Sequence, residues 1–377
     1  MNHSITTIRG SPTKPISPHR NINMSSKTNS SVLRPLGKNG PLVPRIGFGT
    51  MGMGFPCSRT STPIPDPERL ALLDHAYEIG ETFWDMSDYY KRKDLFLATK
   101  FGAVQLPNGF SFRGDAAYVP EALEKSLARL NTDYIDLYYP HRVDGSTPIE
   151  LIVAEMAKLK EAGKIRHLGL SEVSSTTLRR ACAVHHIAAV QMEYSAFSTE
   201  IEDPKYGNLL ATCRELGVAV VAYSPFSRGL LSGGVQGPDD FDAGDIRRVY
   251  PRFSRENFPK NMELVAAIKK IADKKGVTVG QVALAWLLAQ GDDIFPIPGT
   301  ITAKYIDENL AAANVQLTPE ESQHMRDLVT NASVFGDRWP AEHALGLFAD
   351  TPELEGWTAP EEKEAIVGKL MFDEEAA

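Results

Sequence analysis

The chain has no run approaching the ~20 consecutive apolar residues that a bilayer-spanning helix needs. It also has no Cys-x-x-Cys pair. Cys57, Cys182 and Cys213 are odd in number and widely spaced, which speaks against a disulfide framework or a cysteine zinc site and suits a reducing, cytoplasmic setting. The Gly-x-Gly-x-x-Gly turn of a doubly wound dinucleotide fold is missing as well. Gly47, Gly49, Gly52 and Gly54 are spaced differently and read as places where backbone comes close to a ligand. Acidic residues are absent before Asp66, yet the net charge is −8 and the pI near 5.7, which disfavours a general nucleic-acid binder.

What is present is enough for a large core: 377 residues, 42% hydrophobic and 23% charged, so one barrel domain fits as well as two ordinary domains. Residues 1–31 are rich in Ser, Thr, Asn and Pro and are expected to be a disordered tail. A basic, acid-free start also suits a transit peptide, but Pro12, Pro15 and Pro18 interrupt any amphipathic helix there. The barrel is expected over 32–350, with an acidic tail over 351–377. Trp339, Phe348 and Trp357 are expected to dock on the body, and the end beyond Thr358 is not.

Between the tails runs a regular rhythm. Val32 to Leu36 and Leu42 to Ile46 flank Gly37-Lys38-Asn39-Gly40, a hairpin signal. Strands are predicted at 46–49, 81–85, 95–100, 134–139, 165–170, 188–192, 218–223 and 294–298, and helices at 66–79, 120–130, 149–162, 176–185 and 207–216. Asp66 is expected to cap the first of these helices, with Gly80 at its end. Continuously apolar strands alternating with helices mean parallel strands buried on both faces, and eight of them suggest an α/β fold of the closed (β/α)₈ TIM-barrel type. The polar connection from Ser224 to Asn261 is far above ordinary loop length and reads as a lid or as disorder. Thr318-Pro-Glu-Glu is a capped helix start.

Asp85, Tyr90, Lys100 and His141 stand at or just past the ends of three successive predicted strands. In a barrel, polar residues at that end read as catalytic. Hydride reduction of an aldehyde or ketone leaves an oxyanion that must be protonated as it forms, so the site needs an acid and a polarising surround. Tyr90 can be the acid, its ordinary pKa of ~10 lowered by a nearby cation. Lys100 can supply that cation, Asp85 can hold Lys100, and His141 can donate a hydrogen bond to the carbonyl oxygen. Singly each is weak evidence, because a strand-end Lys is usually a surface charge; together and in order they are stronger.

The chain resembles the aldo-keto reductases over about residues 32 to 350, and within them the fungal pyridoxal-reductase-like branch. The resemblance rests on Arg45-Ile-Gly-Phe-Gly-Thr-Met51, Phe83-Trp-Asp85 with Tyr90, Ala98-Thr-Lys-Phe-Gly102, Asp136-Leu-Tyr-Tyr-Pro-His-Arg-Val-Asp144 and Gly169-Leu-Ser-Glu172. It continues through Val190-Gln-Met-Glu-Tyr194, Ala222-Tyr-Ser-Pro225, and Ile297-Pro-Gly-Thr300 to Glu308-Asn309. It implies a barrel reductase using NADPH, with NADH not excluded, acting on a small-molecule carbonyl, pyridoxal among the candidates. No metal, nucleic acid, membrane or obligate protein partner is implied. By the same resemblance Ser171 and Gln191 hold the nicotinamide amide and Tyr223 stacks on its ring. Ser224, Pro225, Arg228 and Leu230 lie in the loop over the pyrophosphate, and Glu308 and Asn309 contact adenine. Gly49, Thr50, Pro298, Gly299, Thr300 and Lys304 complete the cofactor set.

Two departures stand out. Relatives place a helix between the Tyr and the strand bearing the Lys, whereas only Met86 to Asp94 separate Asp85 from Leu95 here, fewer than the dozen residues a parallel crossover takes. The second outer helix therefore reads as deleted and the apolar flank it would cover as exposed, with Tyr90 drawn off its place or the Lys100 strand starting higher. The alternative function is then a cofactor-binding scaffold without turnover. Secondly, Ile301 and Thr302 stand where many relatives have cations for the 2′-phosphate, leaving Lys304 as the nearest one.

Overall fold

In the computed structural model the described residues are 33–54, 64–86, 95–106, 109–341, 344 and 346–356. The N-terminal tail, Tyr90 with the rest of residues 87–94, Trp357 and the acidic end lie outside them.

Strands β1 (Leu33–Pro35) and β2 (Leu42–Pro44) form the expected antiparallel hairpin. Eight parallel strands follow: β3 (Phe48–Gly49), β4 (Phe83–Asp85), β5 (Phe96–Phe101), β8 (Ile135–Pro140), β9 (Ile165–Ser171), β10 (Ala189–Glu193), β11 (Ala219–Tyr223) and β12 (Ile294–Pro296), adjacent in that order. The ring closes where Gly47 N donates to Pro296 O (2.9 Å), Gly49 N to Pro298 O (3.1 Å), and Gly49 bridges Gly299 in parallel. A Cβ on Gly49 would sit 2.7 Å from Ile297 O and one on Gly299 2.8 Å from Gly49 O. The seam therefore takes glycine on both sides, and the predicted barrel is what the strands build.

Inside, Phe83, Ala98, Leu137, Tyr139, Ala189, Val221 and Phe295 pack together, and Leu36 and Val43 of the hairpin join them from the strands' N-terminal end. That floor leaves only the C-terminal end of the barrel for a ligand. Outside lie α2 (Asp66–Glu78), α3 (Tyr118–Leu130), α4 (Ile149–Glu161), α5 (Ser175–Val184) and α6 (Leu209–Leu216), within a few residues of their predicted bounds, followed by α7 (Asn257–Lys275) and α8 (Val279–Leu288). A short α1 (Met51–Gly54) leaves β3, and α9 (Ala303–Ala311) and α10 (Pro319–Asn331) end the barrel.

Several expectations need correction. Asp66 does not cap α2; Pro65 holds the cap position without a side-chain bond, and Asp66 pairs with Arg69 instead. A hairpin of β6 (Ala103–Leu106) and β7 (Gly109–Phe112) after β5 gave no clear sequence signal. The Ser224 connection is ordered rather than disordered: Leu230, Leu231, Val235, Phe241, Tyr250 and Phe253 are buried along it, and α7 begins at Asn257.

No helix stands between β4 and β5 among the described residues, yet the flank is covered. Trp84, Leu95 and Leu97 are buried, in one apolar layer with Leu72, Leu73 and Ala76 of α2 and Val119, Leu123 and Leu127 of α3. The residues that the gap was expected to leave exposed are therefore buried, and α3 packs on β5 beside them. The Lys100 strand does not start higher either, because Phe96 pairs with Phe83. β4 itself is only three residues long, a rise of ~10 Å.

Candidate active site

Residues at or near the C-terminal ends of several strands meet at the mouth. Thr50, just past β3, fixes the end of β4 by donating its N–H (3.0 Å) and hydroxyl (3.1 Å) to Asp85 O. The Asp85 carboxylate then accepts from Lys100 Nζ at 2.5 Å through Oδ1 and from Gln191 Nε2 at 2.8 Å through Oδ2. The pair is withdrawn from water, with side-chain exposures of 14% for Lys100 and 8% for Asp85.

His141 follows β8 and donates its backbone N–H to Phe101 O (2.7 Å). Burial, then the charges of Lys100 and Arg142, push its imidazole pKa down to about 3. It is therefore neutral near pH 7 and able to donate a hydrogen bond from one nitrogen. The Phe112 ring from β7 stands edge-on, 6.3 Å away between centroids. Tyr139 is also in the mouth, with Lys100 Nζ 5.7 Å from its ring centre. Burial and then Asp85 raise its hydroxyl well above the usual phenol range, so it is a poor acid. Tyr90, the acid expected from the sequence, lies outside the described residues.

Across the mouth the groups are braced more heavily. Ser171 ends β9 and its hydroxyl accepts from Arg142 Nη1 at 3.1 Å. Glu172, fully buried and in the left-handed region at φ +53°, accepts from Tyr223 OH (2.8 Å), Arg338 Nη2 (2.7 Å) and Glu193 N (3.3 Å). Burial alone would raise its pKa, but Arg338 and Arg142 outweigh that and hold it below the ordinary value. The loop after β11 has Ser224, Ser227 and Arg228 at φ +49°, +49° and +56°, strain of the kind that concentrates at ligand sites. Pro225 and Leu230 are buried there, so Leu230 can offer only backbone to a ligand. The Arg228 guanidinium stacks on Tyr250 (4.3 Å) and Trp339 (4.5 Å).

At the seam, Pro298 is buried, Gly299 exposed, and Thr300 Oγ1 accepts from Thr302 N at 3.1 Å. Lys304 is exposed in the first turn of α9. Glu308 Oε1 accepts from Thr278 Oγ1 at 2.7 Å, and Asn309 is buried beside it in sequence. The structure thus brings Asp85, Lys100, His141 and Gln191 together, with Ser171 and Tyr223 opposite and the seam and α9 along one side.

Sequence reasoning missed Arg142, Glu172 and Arg338 as site groups. The signal available was a charged residue directly behind each strand-end polar group, in His141-Arg142 and Ser171-Glu172. The C-terminal segment does dock: Phe348 stacks on Tyr206 at 4.9 Å, Ala349 N donates to Glu172 O (2.8 Å), and Ser174 N donates to Ala349 O (3.0 Å). No group of three or more His, Cys, Asp or Glu suited to a metal occurs among the described residues. No helix among them is long and apolar enough to cross a membrane.

Comparison with known proteins agrees with this fold. Residues 45–330 match the model of the "Aldo/keto reductase family". The chain is 46% identical over 331 residues to "Aldo-keto reductase yakc [NADP(+)]" of Schizosaccharomyces pombe, covering 83% of this chain and 96% of the relative. It is 48% identical over 330 residues to "Aldo-keto reductase str7" of Strobilurus tenacellus, with the same coverage. Among solved structures it resembles the glycerol dehydrogenase AKR11B4 of Gluconobacter oxydans, with a TM-score of 0.70 at 25% identity over 81% of this chain and 97% of that one. The aldo-keto reductase AKR11C1 of Bacillus halodurans shares the fold, with a TM-score of 0.62 at 24% identity over 80% and 97% of the two chains.

Proposed function

The chain belongs to the aldo/keto reductase family, and on that premise we propose that it reduces a small aldehyde or ketone to the alcohol, with NADPH as hydride donor and NADH as the alternative donor. The observation that carries this reading is the water-excluded Asp85–Lys100 pair (2.5 Å) beside an imidazole kept neutral, at the open end of a floored barrel. Pyridoxal is among the candidate substrates, and the cytoplasm is the proposed compartment.

The residues present fit the dinucleotide. Ser171, Gln191 and Tyr223 offer two polar groups and a ring for the nicotinamide, and the strained Ser224–Arg228 turn offers backbone to the pyrophosphate. Glu308 and Asn309 suit adenine, while Lys304 and the first turn of α9 suit the 2′-phosphate. Gln191 spends one amide N–H on Asp85, which leaves its other N–H and its carbonyl for the nicotinamide amide.

When bound, NADPH supplies the hydride that adds to the carbonyl carbon. His141 orients the carbonyl oxygen by donating a hydrogen bond from its neutral ring. Tyr90 transfers its hydroxyl proton to that oxygen as the C–O π bond breaks. Lys100 favours the phenolate left behind, Asp85, itself held by Gln191, keeps Lys100 in place, and solvent returns the proton to Tyr90.

A titration of NADPH fluorescence followed by an aldehyde panel, on the native chain and Tyr90→Phe, tests this. Saturable binding by both proteins is expected, with aldehyde-dependent NADPH oxidation by the native chain and ~10²–10⁴-fold less by the variant, the range a positioned general acid contributes. Binding without turnover in the native chain would leave a nucleotide-holding scaffold. Undiminished turnover in Tyr90→Phe would remove Tyr90 from the acid role.

A further inference from the structure

The residue behind His141 has no part in the chemistry above, yet it touches three elements of the mouth at once. Arg142 is buried, and its Nη1 donates to His141 O at 2.7 Å and to Ser171 Oγ at 3.1 Å. Its Nη2 reaches Tyr223 OH at 3.5 Å. A guanidinium is a rigid planar fork, so oxygens bound to its two ends are held at a set separation.

Each contact has a directional consequence. Tying down His141 O, itself at the end of β8, fixes where the imidazole leaves the backbone. Ser171 Oγ, accepting from Arg142, keeps its own O–H for another acceptor. Tyr223 OH donates to Glu172 Oε1 at 2.8 Å, so the ring is pinned at its hydroxyl from two sides. The β8 loop is itself anchored: Asp144 Oδ1 accepts from Ser146 N (2.9 Å) and Thr147 N (2.7 Å), and Oδ2 from Gly114 N (2.9 Å).

Taking the chain as the carbonyl reductase proposed above, we infer that Arg142 is a positioning residue that sets the carbonyl-orienting imidazole and the nicotinamide-facing pair Ser171 and Tyr223 in one frame. One side chain then aligns the acceptor carbon with the donor carbon. Hydride transfer depends steeply on that alignment, and a displacement of about 1 Å can cost ~100-fold in rate. Affinity for the dinucleotide depends on it less, because the pyrophosphate and adenine groups proposed above lie elsewhere.

The test compares the native chain with Arg142→Met and Arg142→Lys. NADPH affinity is read by fluorescence quenching, and the fixity of the bound nicotinamide by circular dichroism in its absorption band. Single-turnover hydride transfer and the face used are read with NADPH deuterated on one face of C4. Both variants should bind NADPH within about threefold of the native chain. Both should lose the nicotinamide band signal, transfer hydride ~100-fold more slowly and mix the two faces. Lysine should not rescue, since one ammonium cannot serve three separated oxygens, and it keeps the charge in place if the Met variant fails to fold. Native rate, band signal and face selectivity in Arg142→Met, or full rescue by Lys, would overturn the inference. A native chain that shows the band signal but transfers no hydride would sink the reductase reading alone, while the band signal in the variants still decides the role of Arg142.

Discussion

The β4–β5 side of the barrel mouth and the β9–β11 side are built to different plans. On the first, the Asp85 carboxylate accepts from two side chains among the described residues, Lys100 and Gln191. The crossover between these strands is the shortest in the barrel, ten residues from Met86 to Leu95. On the second, Glu172 has three donors, one of them Arg338, which lies 166 positions further along the chain. Arg180 clamps the same C-terminal segment to α4, through Glu150 at 2.7 Å and Thr351 O at 2.9 Å. The lesson is that the β9–β11 side, proposed above to face the nicotinamide, is braced by the C-terminal segment, whereas the β4–β5 side, proposed above to supply the proton, is held at Asp85 by two side chains. Damage to the β9–β11 side should appear as lost stability, and damage to the β4–β5 side as lost rate.

The largest stability effect expected from breaking this comparison is at Arg338. In Arg338→Ala the fully buried Glu172 keeps only Tyr223 OH and Glu193 N as donors, and the loss should be ~3–5 kcal/mol, read as a lower melting temperature. The pH dependence sharpens it. Glu172 has a folded-state pKa below its ordinary value, so its contribution is complete above the unfolded value of ~4.3 and is lost as pH falls through the folded one. Without Arg338 that acid-side loss should begin at higher pH, and an unchanged acid limb would show that Glu172 is held by something else.

A smaller effect of opposite sign is expected at the barrel floor. Glu81 is buried, accepts from Phe83 N at 3.1 Å, and has a pKa raised well above ordinary by burial. The folded state therefore binds a proton that the unfolded state releases above pH ~4.3, and stability falls as pH rises from there toward the folded pKa. Glu81→Gln keeps shape and removes the proton. Melts at pH 5 and pH 8 should show it gaining ~1 kcal/mol or more on the native chain between the two; a gain that shrinks toward pH 8 would contradict the sign.

The barrel was readable because its strands are apolar on both faces, and runs such as Val218 to Tyr223 leave little else to be. Strand ends were readable for the same reason: Asp85 and Ser171 are the first polar groups, and Lys100 the first charged one, after apolar runs. The Glu172–Arg338 and Arg142–Tyr223 contacts were not, because charges paired across the fold carry no local period. The Ser224 connection misled because its composition is polar, while the side chains that order it, Leu230, Phe241 and Phe253 among them, recur at no helical or strand spacing. The short crossover was legible in the residue count, but not that β4 is only three residues long or that Trp84, Leu95 and Leu97 beside it are buried.

The most direct test of the division between the two sides is Lys100→Met, measured for NADPH affinity and single-turnover hydride transfer on one preparation. The expected result is affinity within about threefold of the native chain and transfer slower by ~10²–10⁴. Transfer at the native rate would contradict the central claim that the Asp85–Lys100 pair drives the proton step.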